Sequence, residues 1–429
     1  MVKSESCLPD TSIVNFREAI EAWIGEHELT KSSTGVNIYL HVPFCRRRCD
    51  FCYVPIKKNN AEQIERYVST AIREIKAWAG SGEKLRVRSV VIGGGTPSLL
   101  SAQQVRRIFD VISECFDVPD NCVKSMEVNP EDVTLELASN YVLQGVNRFS
   151  LATQSFQTDV LQRLNRGYDD RGIEKAVRSL KDAEAKDVGI ELMWDIPPFG
   201  LDSSRKDISR AMELEPDFII LNRYDVDAEG REGFPSPKGH SRPERDLTSP
   251  KEAQIQFYLE HLRALKEVGY RRSSTEEFRA KNFDHALSLT LAGPGIGFTN
   301  YGPLIGFGSD SISSSGSILL VGNRNINEYI EDTFSYRTCV RYDNSDLVWF
   351  RLVTDLIMCQ GPVFDYFDFA PSQKHLLENW FEKAKAAGVV RIDETQQTYE
   401  LTDFGAGWYT AKLEFENNDV IQKMKESHF

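Results

Sequence analysis

From Val36 onward, short apolar runs alternate with stretches in which apolar residues return every three or four positions. The runs are Val36–Val42, Ser89–Ile92, Lys124–Val128, Arg148–Thr153, Val188–Met193 and Phe218–Leu221. They have the length and residue types of strands. Between the first two runs, Ile64, Tyr67, Val68, Ala71, Ile72, Ile75 and Trp78 fall on one face of a helix. Val105, Ile108, Phe109 and Ile112 do the same between the second and third, behind a capping box of Ser101 and Gln104. Repeated strand–helix units predict an α/β fold with a parallel sheet and helical crossovers. An open or partial (β/α)6 barrel and a doubly wound sheet both satisfy that pattern.

The flanks read differently. Ile13–Ile24 predicts one helix and Lys31–Gly35 a linker, so residues 1–35 are peripheral. Residues 226–250, polar and rich in proline and glycine, predict a long loop or insertion. The glycines between 293 and 316 predict a loop that admits close approach of a ligand, or a plain surface loop. Near the C-terminus, Gln373–Ala387 predicts a helix, Val389–Ile392 and Thr398–Leu401 a hairpin, and Thr402–Gly405 the start of another helix. That succession makes a winged-helix-like α+β domain without a basic recognition face. The expected division is an N-terminal helix and linker at 1–35, a main domain at 36–330 and a C-terminal domain at 331–429.

Composition narrows the class. With 41% hydrophobic and 27% charged residues in 429, the chain reads as globular. The net charge of −13 and the lack of any basic cluster longer than Arg46–Arg48 argue against nucleic acid. No apolar stretch reaches the roughly 18 residues of a membrane span, and Met1–Asp10 lacks the apolar core of a secretory signal. Of the eight cysteines, three cluster and five are scattered, which reads as cytoplasmic thiols plus one metal site. A cytoplasmic monomer acting on a small molecule is expected.

The three are Cys45-Arg-Arg-Arg-Cys49-Asp-Phe-Cys52, on a loop directly after the first strand. Their spacing suits three thiolates holding three irons of a [4Fe–4S] cubane and leaving the fourth iron without a protein ligand. A zinc site completed by a distant ligand such as His41, or three unrelated thiols, are the competing readings.

Tyr39-Leu-His-Val-Pro-Phe-Cys45, Gly93-Gly94-Gly95-Thr96-Pro97-Ser98, Glu127-Val-Asn-Pro130, Ser150-Leu-Ala-Thr-Gln154-Ser-Phe156, Leu161-Gln-Arg-Leu-Asn-Arg166 and Phe307-Gly308-Ser309-Asp310-Ser311-Ile312 follow in order at strand ends. With the cysteine motif, this set resembles the radical S-adenosylmethionine (AdoMet) superfamily and, within it, the oxygen-independent coproporphyrinogen III oxidase-like group (HemN and HemW relatives). Leu401-Thr402-Asp403-Phe404-Gly405 resembles that group's C-terminal domain.

The resemblance implies a partial (β/α)6 barrel and a [4Fe–4S] cluster on Cys45, Cys49 and Cys52. It also implies AdoMet cleavage to a 5′-deoxyadenosyl radical and an external flavodoxin- or ferredoxin-type electron donor. Tyr39, Gly94, Glu127 and Ile312 would line the cluster-bound AdoMet. Phe51, Gly95, Thr96, Gln154, Arg166 and Glu191 would line a second one. Two departures stand out: Glu191 replaces the group's Asp, and Tyr53 stands where the oxidases have a small residue before a further cysteine. The expected reaction is therefore that of the radical C-methyltransferase and cyclopropanase branch, C1 transfer to an sp2 carbon of a specialised metabolite. The alternative is a porphyrin- or heme-related role, as coproporphyrinogen III dehydrogenase or heme chaperone. No general acid or base is assigned.

Overall fold

A computed structural model describes residues 5–6, 16–30, 35–52, 54–79, 84–224, 249–280, 303–315, 318–331, 335–341, 360–362, 371–386, 388–393, 395 and 398–412. These fall into two compact units. One holds the described residues up to Ile190 and those between Leu291 and Asp343, and the other holds the rest. The predicted loop at 226–250 and the glycines between 293 and 302 lie almost wholly outside the described residues, as do Tyr53 and the scattered cysteines Cys7 and Cys359.

In chain order, the first unit begins with β1 (Glu5–Ser6), α1 (Phe16–Thr30), β2 (Val36–Val42), β3 (Phe44–Cys45), β4 (Lys57–Lys58), α2 (Ala61–Ala79) and β5 (Val87–Gly94). It continues through α3 (Ala102–Cys115), β6 (Val123–Val128), α4 (Leu135–Leu143), β7 (Arg148–Gln154), α5 (Thr158–Arg163) and α6 (Asp170–Asp182). Within β8 (Asp187–Trp194) the chain passes into the second unit, which supplies α7 (Gly200–Glu213), β9 (Phe218–Arg223), α8 (Lys251–Glu267), β10 (Tyr270–Arg272) and β11 (Glu277–Ala280). It returns to the first unit for β12 (Leu304–Phe307), β13 (Ile312–Ser315), β14 (Ile318–Gly322), α9 (Ile326–Ile330) and β15 (Tyr336–Arg341). The second unit then closes with β16 (Gln360–Pro362), α10 (Pro371–Ala386), β17 (Val390–Asp393), β18 (Thr398–Leu401) and α11 (Asp403–Lys412).

All six expected runs are strands. In the first unit β2, β5, β6 and β7 lie side by side in that order, each parallel to the next. A doubly wound sheet reverses its strand order at a switch point; here the order advances in one direction, as in a barrel. β12 adds in parallel to the outer edge of β2, and β13, β14, β15 and β1 continue from it antiparallel, so the sheet is mixed. A parallel sheet was expected, and this antiparallel extension was not among the elements read from the sequence.

The helices form where their apolar stripes find the sheet. α2 buries Ile64, Tyr67, Val68, Ala71, Ile75 and Trp78. α3 begins at the expected capping box, Ser101 Oγ accepting from the Gln104 amide and the Gln104 side chain accepting from that of Ser101. Each large side chain so buried contributes roughly 1.5–3 kcal/mol. Trp23 of α1 meets Trp78 edge-on at 5.3 Å between centroids, which seats the N-terminal helix on the core of this unit. A buried ion pair, Arg148 to Asp187 at 3.5 Å, ties the start of β7 to the start of β8.

In the second unit, β9, β11 and β10 form an antiparallel ribbon. The buried Asp195 carboxylate accepts from Ser249 Oγ at 2.6 Å and Gln254 Nε2 at 2.8 Å, pinning the start of α8. The predicted hairpin is β17 with β18, and β16 adds a third strand to it. Arg272 reaches the Thr402 carbonyl and Lys266 the Asp403 carboxylate, which fixes the head of α11 within this unit.

Candidate functional site

The cysteines sit on a loop with a closed neck. β3 pairs in parallel with β4, Phe44 opposite Lys57 and Cys45 opposite Lys58. The Lys57 amide donates to the Pro43 carbonyl at 2.7 Å and the Asn59 amide to that of Cys45 at 2.9 Å. Phe44 is fully buried, edge-on to Tyr67 at 5.4 Å, and anchors the neck. Within the loop the Cys52 amide donates to the Cys49 carbonyl at 3.2 Å, so these two residues share one tight turn.

The three arginines are tethers. Arg46 Nε donates to the buried Asp132 carboxylate at 2.6 Å, and Asp132 also accepts from Ser98 Oγ at 2.8 Å. Arg47 pairs with Glu131 at 3.1 Å, its guanidinium lying over Gly167 where a β-carbon would collide with it. Arg48 donates to the Cys52 carbonyl at 3.1 Å, while its own carbonyl accepts from Asn165 Nδ2 at 2.7 Å. The loop is thus held at the end of β6 and at the turn between α5 and α6. In the sequence these cations read as attractors for an anionic cluster or as a solvated face, and no local pattern announces the acceptors of Arg46 and Arg47, more than eighty positions away.

Two of the thiols have side-chain donors aimed at them. Thr96 Oγ1 donates to Cys45 Sγ at 3.3 Å and Arg166 Nη1 to Cys49 Sγ at 2.9 Å. Burial pushes the Cys45 thiol up to about 12, against the pull of the Thr96 hydroxyl, and pushes Cys52 up as well. Cys45 feels both other thiols electrostatically, so the three lie within one field. Among the described residues no three His, Cys, Asp or Glu side chains converge on a single ion. A cubane makes no such demand, because each cysteine binds a different iron. Cys45 and Cys52, which resist ionising alone, fit a centre that takes up their charge.

Beside the loop, the carboxyl ends of the parallel strands carry the residues expected to hold AdoMet. Glu127 on β6 accepts from the Gly94 amide at 3.0 Å, and Tyr39 Oη lies 3.2 Å from His41 Nδ1 on β2. The glycines turn out to serve the protein's own packing. A β-carbon on Gly93 would press on Glu127 at 2.7 Å and the Tyr39 ring at 2.9 Å. Gly94, at φ +112°, faces the His41 ring, and Gly95 faces the carbonyls of Phe44 and Val42 and, at 3.0 Å, Cys45 Sγ. Tyr39, Gly94 and Glu127 are therefore brought together, and Gly95 and Thr96 stand against Cys45.

The remaining expected residues are placed as follows. Gln154 ends β7 in the left-handed region, φ 64°, with its side-chain carbonyl buried and without a hydrogen-bond partner. Such an unused acceptor fits a site awaiting a donor from a ligand. Phe51 is half-buried on the cysteine loop. Ile312 opens β13, whose close return on β12 requires Gly306, itself paired with Tyr39. Glu191 lies on the half of β8 that belongs to the second unit. Arg166 has its Nη1 on Cys49, Nη2 on the Ala152 carbonyl at 2.6 Å and Nε on Tyr168 Oη at 2.5 Å.

Sequence reasoning missed the support beneath. Glu74 of α2 is buried and accepts from the Gly308 amide at 2.8 Å and from Tyr329 Oη at 2.6 Å. Tyr67 accepts from the Ser309 amide at 2.8 Å and donates to the His41 carbonyl at 2.9 Å. The signal was available: Glu74 stands on the same helical stripe as Tyr67, Ala71 and Trp78, an acid on an apolar face.

The Radical SAM superfamily signature matches residues 39–214. The heme chaperone HemW of Buchnera aphidicola subsp. Schizaphis graminum is 25% identical over 306 residues, 70% of this chain and 77% of that protein. The oxygen-independent coproporphyrinogen III oxidase of Escherichia coli K12 is 24% identical over 304 residues, 69% of this chain and 65% of that protein. The solved structure of coproporphyrinogen III oxidase (HemN) from Escherichia coli superimposes with a TM-score of 0.68 at 19% identity, over 94% of this chain and 93% of that one, which shows a shared fold.

These findings overturn the expected C1 transfer. The relatives that match most of the chain are named for heme and coproporphyrinogen, and the pattern around Cys52 and the paired strand-end residues had no power to single out a methyltransferase or cyclopropanase. What the alternative reading proposed is what the comparisons favour. From the strand order, the cysteine loop and these likenesses together, the chain carries a radical SAM superfamily domain over residues 39–214 and is similar to the HemN-like proteins.

Proposed function

We propose that the chain binds a [4Fe–4S] cluster on Cys45, Cys49 and Cys52 and AdoMet beside it, and serves a tetrapyrrole ligand in the manner of the HemW heme chaperones. The observation that carries this is the three-thiol loop set against the Gly94–Glu127 pair, in a chain whose relatives over most of its length include heme chaperones. When bound, cluster and AdoMet supply one-electron reductive cleavage of the sulfonium. The protein's own part is to seat them. Glu127, already accepting from the Gly94 amide, presents a carboxylate for the ligand's ammonium, and Tyr39 offers an aromatic wall next to it. Gln154 offers its open carbonyl. A low-potential flavodoxin or ferredoxin is the electron source in this reading, and the chain acts without nucleic acid. No helix among the described residues is long and apolar enough to cross a membrane.

The second reading is coproporphyrinogen III oxidation with two AdoMet molecules, the second on Phe51, Gly95, Thr96, Gln154 and Arg166. It is favoured by the buried, unused acceptor of Gln154. It is disfavoured by Tyr53 in place of the residues that precede a further cysteine in the oxidases. Anaerobically reconstituted protein separates the two. Stoichiometric heme binding, with no decarboxylated product from coproporphyrinogen III, supports the chaperone reading. Turnover of coproporphyrinogen III without retained heme overturns it.

A further inference from the structure

We propose that Arg166 is a positioning residue for the cluster, and that its cation on the Cys49 sulfur raises the reduction potential of the [4Fe–4S] centre. The inference rests on the cluster reading above and adds to it a residue outside the cysteine motif.

The guanidinium is fixed on three sides. Nη1 donates to Cys49 Sγ at 2.9 Å, Nη2 to the Ala152 carbonyl at 2.6 Å and Nε to Tyr168 Oη at 2.5 Å, and the plane lies over the Tyr168 ring at 5.0 Å. Tyr168 Oη in turn donates to the Ala152 carbonyl at 2.7 Å, so arginine and tyrosine are clamped to the end of β7 by the same acceptor. The turn that presents Arg166 is bound to the cysteine loop independently, through Asn165 Nδ2 on the Arg48 carbonyl and the Asp50 amide on the Leu164 carbonyl. Swinging the cation off the sulfur breaks several contacts at once. Three of the five guanidinium N–H groups are used by the protein, leaving two for a ligand.

A hydrogen bond and a positive charge at a cluster sulfur favour the more negative, reduced state over the oxidised one. The redox step is the transfer of one electron from an external low-potential donor to the oxidised cluster, with no proton moved; Arg166 keeps its charge throughout. Cys45, by contrast, faces the neutral Thr96 hydroxyl. The direct hydrogen bond from the cation is therefore at one corner of the centre, the one held by Cys49.

The test uses anaerobically reconstituted full-length protein, a mediated dithionite titration and electron paramagnetic resonance of the reduced cluster. Arg166→Gln is expected to hold as much iron as the wild type. Poised at the wild-type midpoint, its ratio of reduced to oxidised cluster is expected to fall about tenfold, ~59 mV for a one-electron couple. Arg166→Lys, which keeps the charge, is expected to recover most of that ratio. Full iron with an unchanged midpoint in Arg166→Gln overturns the proposal, and so does Arg166→Lys behaving like Arg166→Gln. Should Arg166→Gln not retain iron, wild-type protein grown with isotope-labelled arginine decides the matter. Hyperfine coupling of a labelled nitrogen to the reduced cluster is expected, and its absence overturns the proposal. A wild-type protein that takes up no iron sinks the cluster reading itself, a different result from any of these.

Discussion

Glu74→Gln isolates what a buried carboxyl does to this fold. Glu74 is 4% exposed, and burial pushes it from 4.5 to about 7 although Tyr329 Oη and the Gly308 amide pull the other way. The titratable groups facing it are phenols, Tyr67, Tyr329 and Tyr336, all pushed upward by burial and hence neutral beside it. A carboxyl whose folded-state value is raised holds its proton longer in the folded chain than in the unfolded one. Its contribution to stability is complete below about 4.5 and is lost as pH rises through about 7. The interval corresponds to about 3 kcal/mol. Glutamine keeps a carbonyl for both donors and never ionises. The variant is therefore expected to match the wild type most closely near pH 4.5 and to be more stable by up to about 3 kcal/mol near pH 8. Urea midpoints across that range measure the difference, and hydrogen exchange of peptides spanning Gly308 localises it. Parallel pH profiles for the two proteins would refute the reasoning, since an ionisation that costs nothing cannot be removed with profit.

Three further outcomes follow from the site. Alanine at Cys45, Cys49 or Cys52 abolishes iron uptake and the brown absorbance of reconstituted protein, whereas alanine at Cys115, remote on α3, leaves both, as iron and sulfide assays will show. Gly95→Ala drives a β-carbon against the Phe44 carbonyl at 2.8 Å and Cys45 Sγ at 3.0 Å, an overpacking cost of about 1–3 kcal/mol; iron occupancy falls, while the same change at exposed Gly388 needs no room but strains a left-handed turn and leaves iron unaffected. Asp132→Asn weakens the Arg46 tether by about 1 kcal/mol, little because Arg46 is half exposed, and limited proteolysis between Cys45 and Lys58 quickens in the apoprotein.

Much of the scaffold was legible because each strand of the parallel series is a compact apolar run and each crossover helix keeps one stripe, so local pattern and final position agree. The cysteine loop was legible because its ligands are neighbours in sequence. The strand order was not, since period says which residues are strands and nothing about who lies beside whom. Nor were the bonds from Arg46, Arg47 and Arg166, whose acceptors are set by how strand ends converge. The glycines at 93–95 have neighbours the sequence could not name: Glu127, Tyr39, His41 and Cys45 fill the space their missing side chains leave. The reaction expected from the flanks of Cys52 failed because those residues report on cluster and cofactor, which branches of the superfamily share, rather than on the molecule acted upon.

The neck formed by β3 and β4, with Arg46 and Arg47 pinned to Asp132 and Glu131, gives the polypeptide a socket whose shape is set by protein bonds. These contacts need no inorganic atoms, so the mould is expected to stand when a cluster is lost and to be refilled without the polypeptide being made anew.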